Sequence, residues 1–412
     1  MSFITAKDIL YSRQFGFREG YSTYMALLEF TSRISDVFEN KELLIGLFID
    51  ISKAFDCINH NILSKKLEYY GIRGIPLKWL ESYLSDRKQY VYIDNYKSNM
   101  CTVNVGVPQG SVLGPLLFLL FINDLQYVSQ RLFSIIFADD TNLFISGKDI
   151  NEMNHALNIE LKSIHEWFTA NNLVLNLKKT CYMIFKPKNK KIDEEIIKIY
   201  IDNHQIQRVT NTKFLGVLID EKLTWSVHVN DICCKISRSI GAMNRLKCII
   251  PNQVLLTLYY TMILPYIMYC CIIWGHSANY LVERVLKLQK RAIRIISNSK
   301  PFSHTAELFK KLKILKVSQI VELQEAIFMY LYFKKILPKN VNEIFKLNNS
   351  VHTYNTRAKN KIRLPLLKYE FSRKTIKFTG TKCWNKIPEN IKEMPTLSSF
   401  KRNFKIYLLS QP

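Results

Sequence analysis

The sequence predicts an α+β fold, a body of interleaved strands and helices followed by a mostly helical region. Two observations of pattern carry that expectation. Apolar runs of strand length alternate with helix-period segments as far as about Trp225, and from there to about residue 335 the period is helical. A third observation is charge: residues 1–150 hold 15 Lys+Arg against 16 Asp+Glu, whereas residues 151–412 hold 43 against 18. The 412 residues suffice for two or three domains, and 48% hydrophobic with 22% charged residues is globular composition.

Leu27, Leu28, Ile34 and Phe38 keep near-helical spacing and predict a helix over Thr23–Glu39. Leu43–Ile49 is an uncharged run of strand length that ends at Asp50. Helices are expected at Asn59–Tyr70 and Pro76–Leu84, the latter with proline in its first turn. Tyr90–Asp94 and Thr102–Val107 read as strands, and Leu116–Ile122 as a buried helix too short to span a membrane. Phe133–Phe137 and Asn142–Ile145 form a hairpin pattern with Asp139 and Asp140 at its tip. Met153, Leu157, Leu161, Ile164 and Phe168 lie on one face of an expected helix over Asn151–Asn171. Further strands are expected at Thr180–Phe185, Ile197–Ile201 and Phe214–Asp220.

The formal net charge of +24 implies a polyanionic partner or a membrane surface, with a solubilising face as the ordinary reading; a polyanion would be gripped through the later, basic part of the chain by phosphate contacts and by its interleaved Tyr, Trp and Phe. Nine cysteines without a Cys-x-x-Cys pair exclude a zinc knuckle and a dithiol redox motif, and suggest reduced thiols. The amino terminus lacks the pattern of a signal peptide, so an intracellular location, nuclear or cytoplasmic, is expected. Val254–Trp274 has no charged residue over about the ~20 residues a bilayer span needs. Its four tyrosines, two threonines and central Pro265 fit a buried helical hairpin broken near the proline better than a membrane span. The eight histidines form no metal triad.

Asp50 ends one apolar run, and Asp139 and Asp140 sit in the turn between two others. Clustered carboxylates repel one another and lose hydration, for which a divalent cation compensates. Each group taken alone also has an ordinary reading, as a turn or helix-capping residue.

Phe137-Ala-Asp-Asp140 resembles the Phe-Ala-Asp-Asp box of reverse transcriptases from non-LTR, LINE-like retrotransposons of the jockey type. Five other segments are similar to boxes of that family, in the family's order. They are Gln14-Phe-Gly-Phe-Arg-Glu-Gly-Tyr-Ser-Thr23, Phe48-Ile-Asp-Ile-Ser-Lys-Ala-Phe-Asp56, Gly106-Val-Pro-Gln-Gly-Ser-Val-Leu-Gly-Pro115, Leu175-Asn-Leu-Lys-Lys-Thr-Cys-Tyr-Met-Ile-Phe185 and Phe214-Leu-Gly-Val-Leu-Ile-Asp220. Leu288–Arg294 and Cys383–Pro388 resemble thumb and tail segments. The resemblance implies a right-hand polymerase palm over 43–225, partial fingers over 1–42, an α-helical thumb-like region over 226–335 and a basic carboxy-terminal region over 336–412.

The resemblance also implies the chemistry: an RNA-directed DNA polymerase extending a DNA primer on an RNA template with dNTPs. Asp50, Asp139 and Asp140 would be the catalytic residues and hold two Mg²⁺ ions, with Mn²⁺ as a substitute. Phe55, five residues after Asp50, would be the steric gate that rejects a 2′-hydroxyl. Gln109 and Gly110 would meet the incoming nucleotide or the template, Arg18 the triphosphate, and Lys179 the departing pyrophosphate. Asp56 reads as structural, capping the next helix. The match begins within the fingers, with no endonuclease-like cluster before it and no ribonuclease H segment after it, which implies amino-terminal truncation. The alternative is a catalytically inactive nucleic-acid-binding remnant lacking complete fingers.

Overall fold

The computed structural model describes residues 2–187, 190–193, 196–342, 344–345 and 362–411. The chain divides into two compact units, the first Met1–Ser22 with Glu42–Val209, the second Thr23–Lys41 with Thr210–Pro412. Both the mix of elements and their order match the expected α+β class, with strands concentrated before Asp220 and helices after it.

The first unit is built on a sheet of five strands: β1 Leu43–Ile49, β2 Phe133–Phe137, β3 Asp140–Gly147, β4 Cys181–Phe185 and β5 Gln207–Arg208. Their order is β5-β4-β1-β3-β2, antiparallel except for the β4–β5 pair. All seven residues of central β1 are buried, as expected for an uncharged apolar run covered on both faces. The helix Ile150–Ala170 buries the predicted face of Met153, Leu157, Leu161, Ile164 and Phe168, and Asp149 caps its first turn. The almost wholly apolar helix Leu113–Ile122 is buried over most of its length.

Four strand expectations are corrected, three of them by tight turns inside or just beyond the expected runs. The Tyr90–Asp94 segment holds only Tyr92–Ile93, which turns back onto Tyr96–Lys97 through Asp94 and Asn95, both left-handed (φ 46° and 68°). Ile197–Ile201 shrinks to Tyr200–Ile201, paired with His204–Gln205 across left-handed Asp202 and Asn203. In the second unit, Phe214–Asp220 is no single strand: Asn211–Phe214 and Val217–Asp220 form a hairpin through Leu215 and Gly216 (φ 46° and 82°). Likewise Thr102–Val107 is strand only over Cys101–Val103, paired with Arg87–Gln89.

The second unit is helical beyond that hairpin, with long helices at Thr23–Glu39, Ser226–Leu246, Asn279–Ile296 and Val317–Phe333. Val254–Trp274 lies in three short helices, Asn252–Met262, Leu264–Met268 and Cys271–Trp274, with Pro265 in the first turn of the middle one. Among the described residues no helix is long and apolar enough to cross a membrane. Buried Gln289 ties the unit together. Its amide donates to Tyr259 Oη (2.8 Å) and the Leu315 carbonyl (2.9 Å) and accepts from the Val317 N–H (3.1 Å). The expected carboxy-terminal region of 336–412 falls partly outside the described residues. Its later part forms the helices Ile376–Lys386 and Leu397–Ser410, with Trp384 stacked on Phe333 at 4.9 Å.

Candidate active site

The sheet register places the acids. Ile49 of β1 stands opposite Thr141 of β3, and Phe137 of β2 opposite Asp140. Asp50 is the next residue after β1, Asp140 opens β3, and Ala138-Asp139 is the two-residue turn between β2 and β3. One step beyond the Ile49–Thr141 pair, Asp50 and Asp140 are therefore neighbours at the end of adjacent strands. Ala138 is left-handed (φ 56°), a conformation that the first position of this hairpin turn demands and that alanine adopts at a cost of about 1 kcal/mol.

A loop from the fifth box holds the backbone of Asp50. Its carbonyl accepts from the Asn176 N–H at 2.9 Å and its own N–H donates to Thr180 Oγ1 at 3.4 Å. Lys179 Nζ lies 3.8 Å from Asp50 Oδ2, with both side chains largely open to water, so the pair itself contributes little stability.

Asp140 senses the other two carboxylates. The Asp140 carboxyl is pushed up to about 6, first by burial, then by the charges of Asp139 and Asp50. Part of Asp140 nevertheless faces solvent, which damps what the shift is worth in stability. Among the described residues no three His, Cys, Asp or Glu side chains already stand as a metal cage. What suits a divalent cation here is the donor chemistry: hard carboxylate oxygens whose mutual repulsion a cation relieves.

Phe55 is half-buried and stacked on fully buried Phe118 (4.5 Å between centroids, 24°), with exposed Phe17 edge-on at 6.2 Å. Its carbonyl accepts from the Val107 N–H at 2.9 Å, joining the second box to the loop that carries Gln109 and Gly110. Gln109 is exposed and donates through Nε2 to Asp56 Oδ1 at 2.8 Å. This corrects the capping role expected of Asp56, because Asn59 caps the following helix by accepting from the Asn61 and Ile62 N–H groups. Gly110 is left-handed (φ 79°) with open space where a Cβ would stand. A cleft of about 760 Å³ opens beside this loop, lined among others by Lys53, Asp56, Arg87, Lys88, Gln89 and Gln109.

Arg18 is turned into its own loop. Nη1 donates to the carbonyls of Tyr11 (2.7 Å) and Gln14 (3.1 Å), the guanidinium lies 4.1 Å over the Tyr21 ring, and burial lowers its pKa. The structure thus gathers Asp50, Asp139, Asp140 and Lys179 in one place, and Phe55 with Gln109 in another. Sequence reading missed Asp56 as the partner of Gln109, and Asn176 and Thr180 as the holders of Asp50. The first pairing spans 53 residues with no local signal, and only the box that contains Asn176 and Thr180 hinted at the second.

The family described as reverse transcriptase (RNA-dependent DNA polymerase) matches residues 3–219. The probable RNA-directed DNA polymerase from transposon X-element of Drosophila melanogaster is 29% identical over 332 residues, 77% of this chain and 35% of that protein. The RNA-directed DNA polymerase from mobile element jockey of the same species is 27% identical over 329 residues, 76% of this chain and 35% of that one. The chain spans about a third of the length of these curated relatives. Among solved structures, apo telomerase from Candida tropicalis aligns at a TM-score of 0.42 and 11% identity, over 83% of this chain and 55% of that one, too loosely to add to the fold description.

Proposed function

This chain belongs to the reverse transcriptase family, and on that premise we propose that it is an RNA-directed DNA polymerase of a non-LTR retrotransposon, extending a DNA primer on an RNA template. The observation that supports the reading most is the sheet register, which brings Asp50, just past β1, beside Asp140 at the head of β3 and Asp139 in the turn before it, near enough for both charges to add to the effect of burial on the Asp140 carboxyl. In this reading residues 43–225 act as the palm, residues 1–42 as a portion of the fingers and the helices within 226–335 as the thumb.

Asp50, Asp139 and Asp140 would hold two Mg²⁺ ions, or Mn²⁺, whose chemistry when bound is to acidify the primer 3′-hydroxyl and neutralise charge on the triphosphate. Phe55, backed by Phe118, presents a ring that leaves no room for a ribose 2′-hydroxyl. Gln109, steadied by Asp56, offers its amide to the nucleotide or the template, and Gly110 leaves space for close approach. Lys179 contacts the departing pyrophosphate, and Arg18, once released from its loop carbonyls, the triphosphate. Exposed cations of the second unit bind the phosphates of the RNA template and DNA primer.

Primer extension by the purified chain, with an RNA template, dNTPs and Mg²⁺, tests the proposal. Template-directed products that Asp139→Ala abolishes support it. RNA binding without extension, indifferent to Asp139→Ala, favours instead an inactive nucleic-acid-binding remnant. An intracellular site of action, nuclear or cytoplasmic, goes with the polymerase reading.

A further inference from the structure

Gln14 is a buried polar residue, 2% exposed, in a segment otherwise singled out for Arg18. Residues 13–15 run alongside the edge strand β2. The Phe15 N–H donates to the Ile136 carbonyl at 2.8 Å, and the Ile136 N–H to the Arg13 carbonyl at 3.1 Å. From there the Gln14 side chain reaches the turn that carries Asp139. Its Oε1 accepts from the Ala138 N–H at 3.0 Å and from the Gly16 N–H at 2.9 Å. Two backbone donors fix which end of the amide is oxygen, since the opposite orientation would set N–H against N–H.

Two costs are borne to keep this contact. Gln14 Nε2 is buried without a hydrogen-bond partner among the described residues, so its desolvation goes uncompensated. Ala138 is held left-handed, in a turn that glycine would enter freely. Gly16 makes the approach possible, because a Cβ there would stand 2.4 Å from the Ala138 nitrogen. An oxygen that satisfies the Ala138 N–H fixes the direction in which the next residue, Asp139, leaves the turn.

We propose that Gln14 is a positioning residue: it locks the Ala138-Asp139 turn so that the Asp139 carboxylate is aimed for sharing a divalent cation with Asp50 and Asp140. The inference rests on the polymerase reading of the acids and assigns to Gln14 a role through Asp139, without contact to substrate. Outer groups that orient metal-binding side chains are typically worth about 10–100-fold in metal affinity or activity.

The test compares wild type with Gln14→Met, which keeps the volume and removes the acceptor, and with Gln14→Asn, a milder change one methylene too short to reach both donors. Gln14→Glu keeps an oxygen at the same reach in either protonation state. In primer extension, Gln14→Met or Gln14→Asn is expected to raise the Mg²⁺ concentration for half-maximal rate about tenfold, with most of the rate recovered at saturating Mg²⁺. Amide exchange at Gly16 and Ala138 is expected to quicken about tenfold in both and to return to the wild-type rate in Gln14→Glu. A folded variant with an unchanged Mg²⁺ requirement overturns the proposal, since loss of packing alone lowers melting temperature without moving that requirement. If wild type itself does not extend a primer, the polymerase reading fails separately. Mn²⁺ binding followed by electron paramagnetic resonance then decides: weaker binding in Gln14→Met upholds the positioning role, and equal binding ends it.

Discussion

The two units of this chain handle charge in opposite ways. The first carries 22 Lys+Arg against 20 Asp+Glu, the second 36 against 14. In the first, a near balance hides one local concentration of negative charge at Asp50, Asp139 and Asp140, where burial first and the two neighbouring charges second push the Asp140 carboxyl up to about 6. In the second, the excess is spread over helix surfaces, as on Arg284, Lys287 and Arg291, all exposed on the helix Asn279–Ile296. A focused cluster is what chemistry on a metal needs, and a diffuse field is what a grip on phosphates needs. The excess begins at residue 210 rather than 151, because residues 151–209 hold only 9 Lys+Arg against 7 Asp+Glu.

If that division of labour is right, damage to the focused cluster is catastrophic for turnover and neutral for binding. Asp50→Ala or Asp139→Ala should lower extension by about a thousandfold or more, with RNA affinity within about twofold of wild type. Wild-type extension by either variant breaks the comparison at its centre.

Acid should act on the two units with opposite signs. His228, buried in the second unit, accepts from the Leu218 N–H through Nδ1 at 3.3 Å and titrates near 4, chiefly because burial disfavours its cation. Between about 6.5 and 4 the unfolded chain holds the extra proton, so this contribution is complete above about 6.5 and is lost as pH falls through 4. It amounts to at most about 3 kcal/mol. Asp140 runs the other way: with its carboxyl raised, the folded first unit keeps a proton that the unfolded chain has released, and its contribution declines as pH rises through about 6. Melting of wild type and His228→Gln at pH 7 and pH 4.5 checks the larger effect. The variant should lose less stability on acidification, and an equal loss in both refutes the assignment.

The diffuse field predicts additivity in place of collapse. Arg284→Gln, Lys287→Gln and Arg291→Gln together should weaken RNA binding by roughly ten- to a hundredfold at moderate salt. The slope of log affinity against log salt should flatten by about 0.7–0.9 for each phosphate that is no longer neutralised. The same neutralisation at exposed Lys65, Lys78 and Lys162 of the first unit should do much less. Equal effects from the two sets would show that the grip is not confined to the second unit. The smallest effect concerns selection: Phe55→Val should raise ribonucleotide incorporation by about tenfold, read from competition between rNTP and dNTP. Unchanged selectivity removes Phe55 from the gate.

How far the sequence could be read follows from how local each feature is. β1, the acidic hairpin and the helix over Ile150–Ala170 announce themselves through period and apolar runs, and each formed nearly where expected. The turns at Asp94-Asn95, Asp202-Asn203 and Leu215-Gly216 were hidden inside or beside strand-like runs, since side chains there adopt left-handed backbone that propensity assigns mainly to glycine. That Thr23–Lys41 packs with residues 210–412 is a tertiary fact no window contains. Lys377 Nζ, for instance, meets Asp36 Oδ1 at 2.7 Å across 341 residues. At the site, the acids were readable as a motif, but Asp56 holding Gln109 and Gln14 holding the Ala138 turn were not, because both are single long-range hydrogen bonds.

Direct titration with Mn²⁺, in the presence of primer, RNA template and a non-reactive nucleotide, addresses the sharing of cations by the three carboxylates. Two ions per chain are expected for wild type, with affinity reduced at least about tenfold in Asp50→Asn and in Asp139→Asn. Occupancy and affinity that stay the same in both variants would contradict the account.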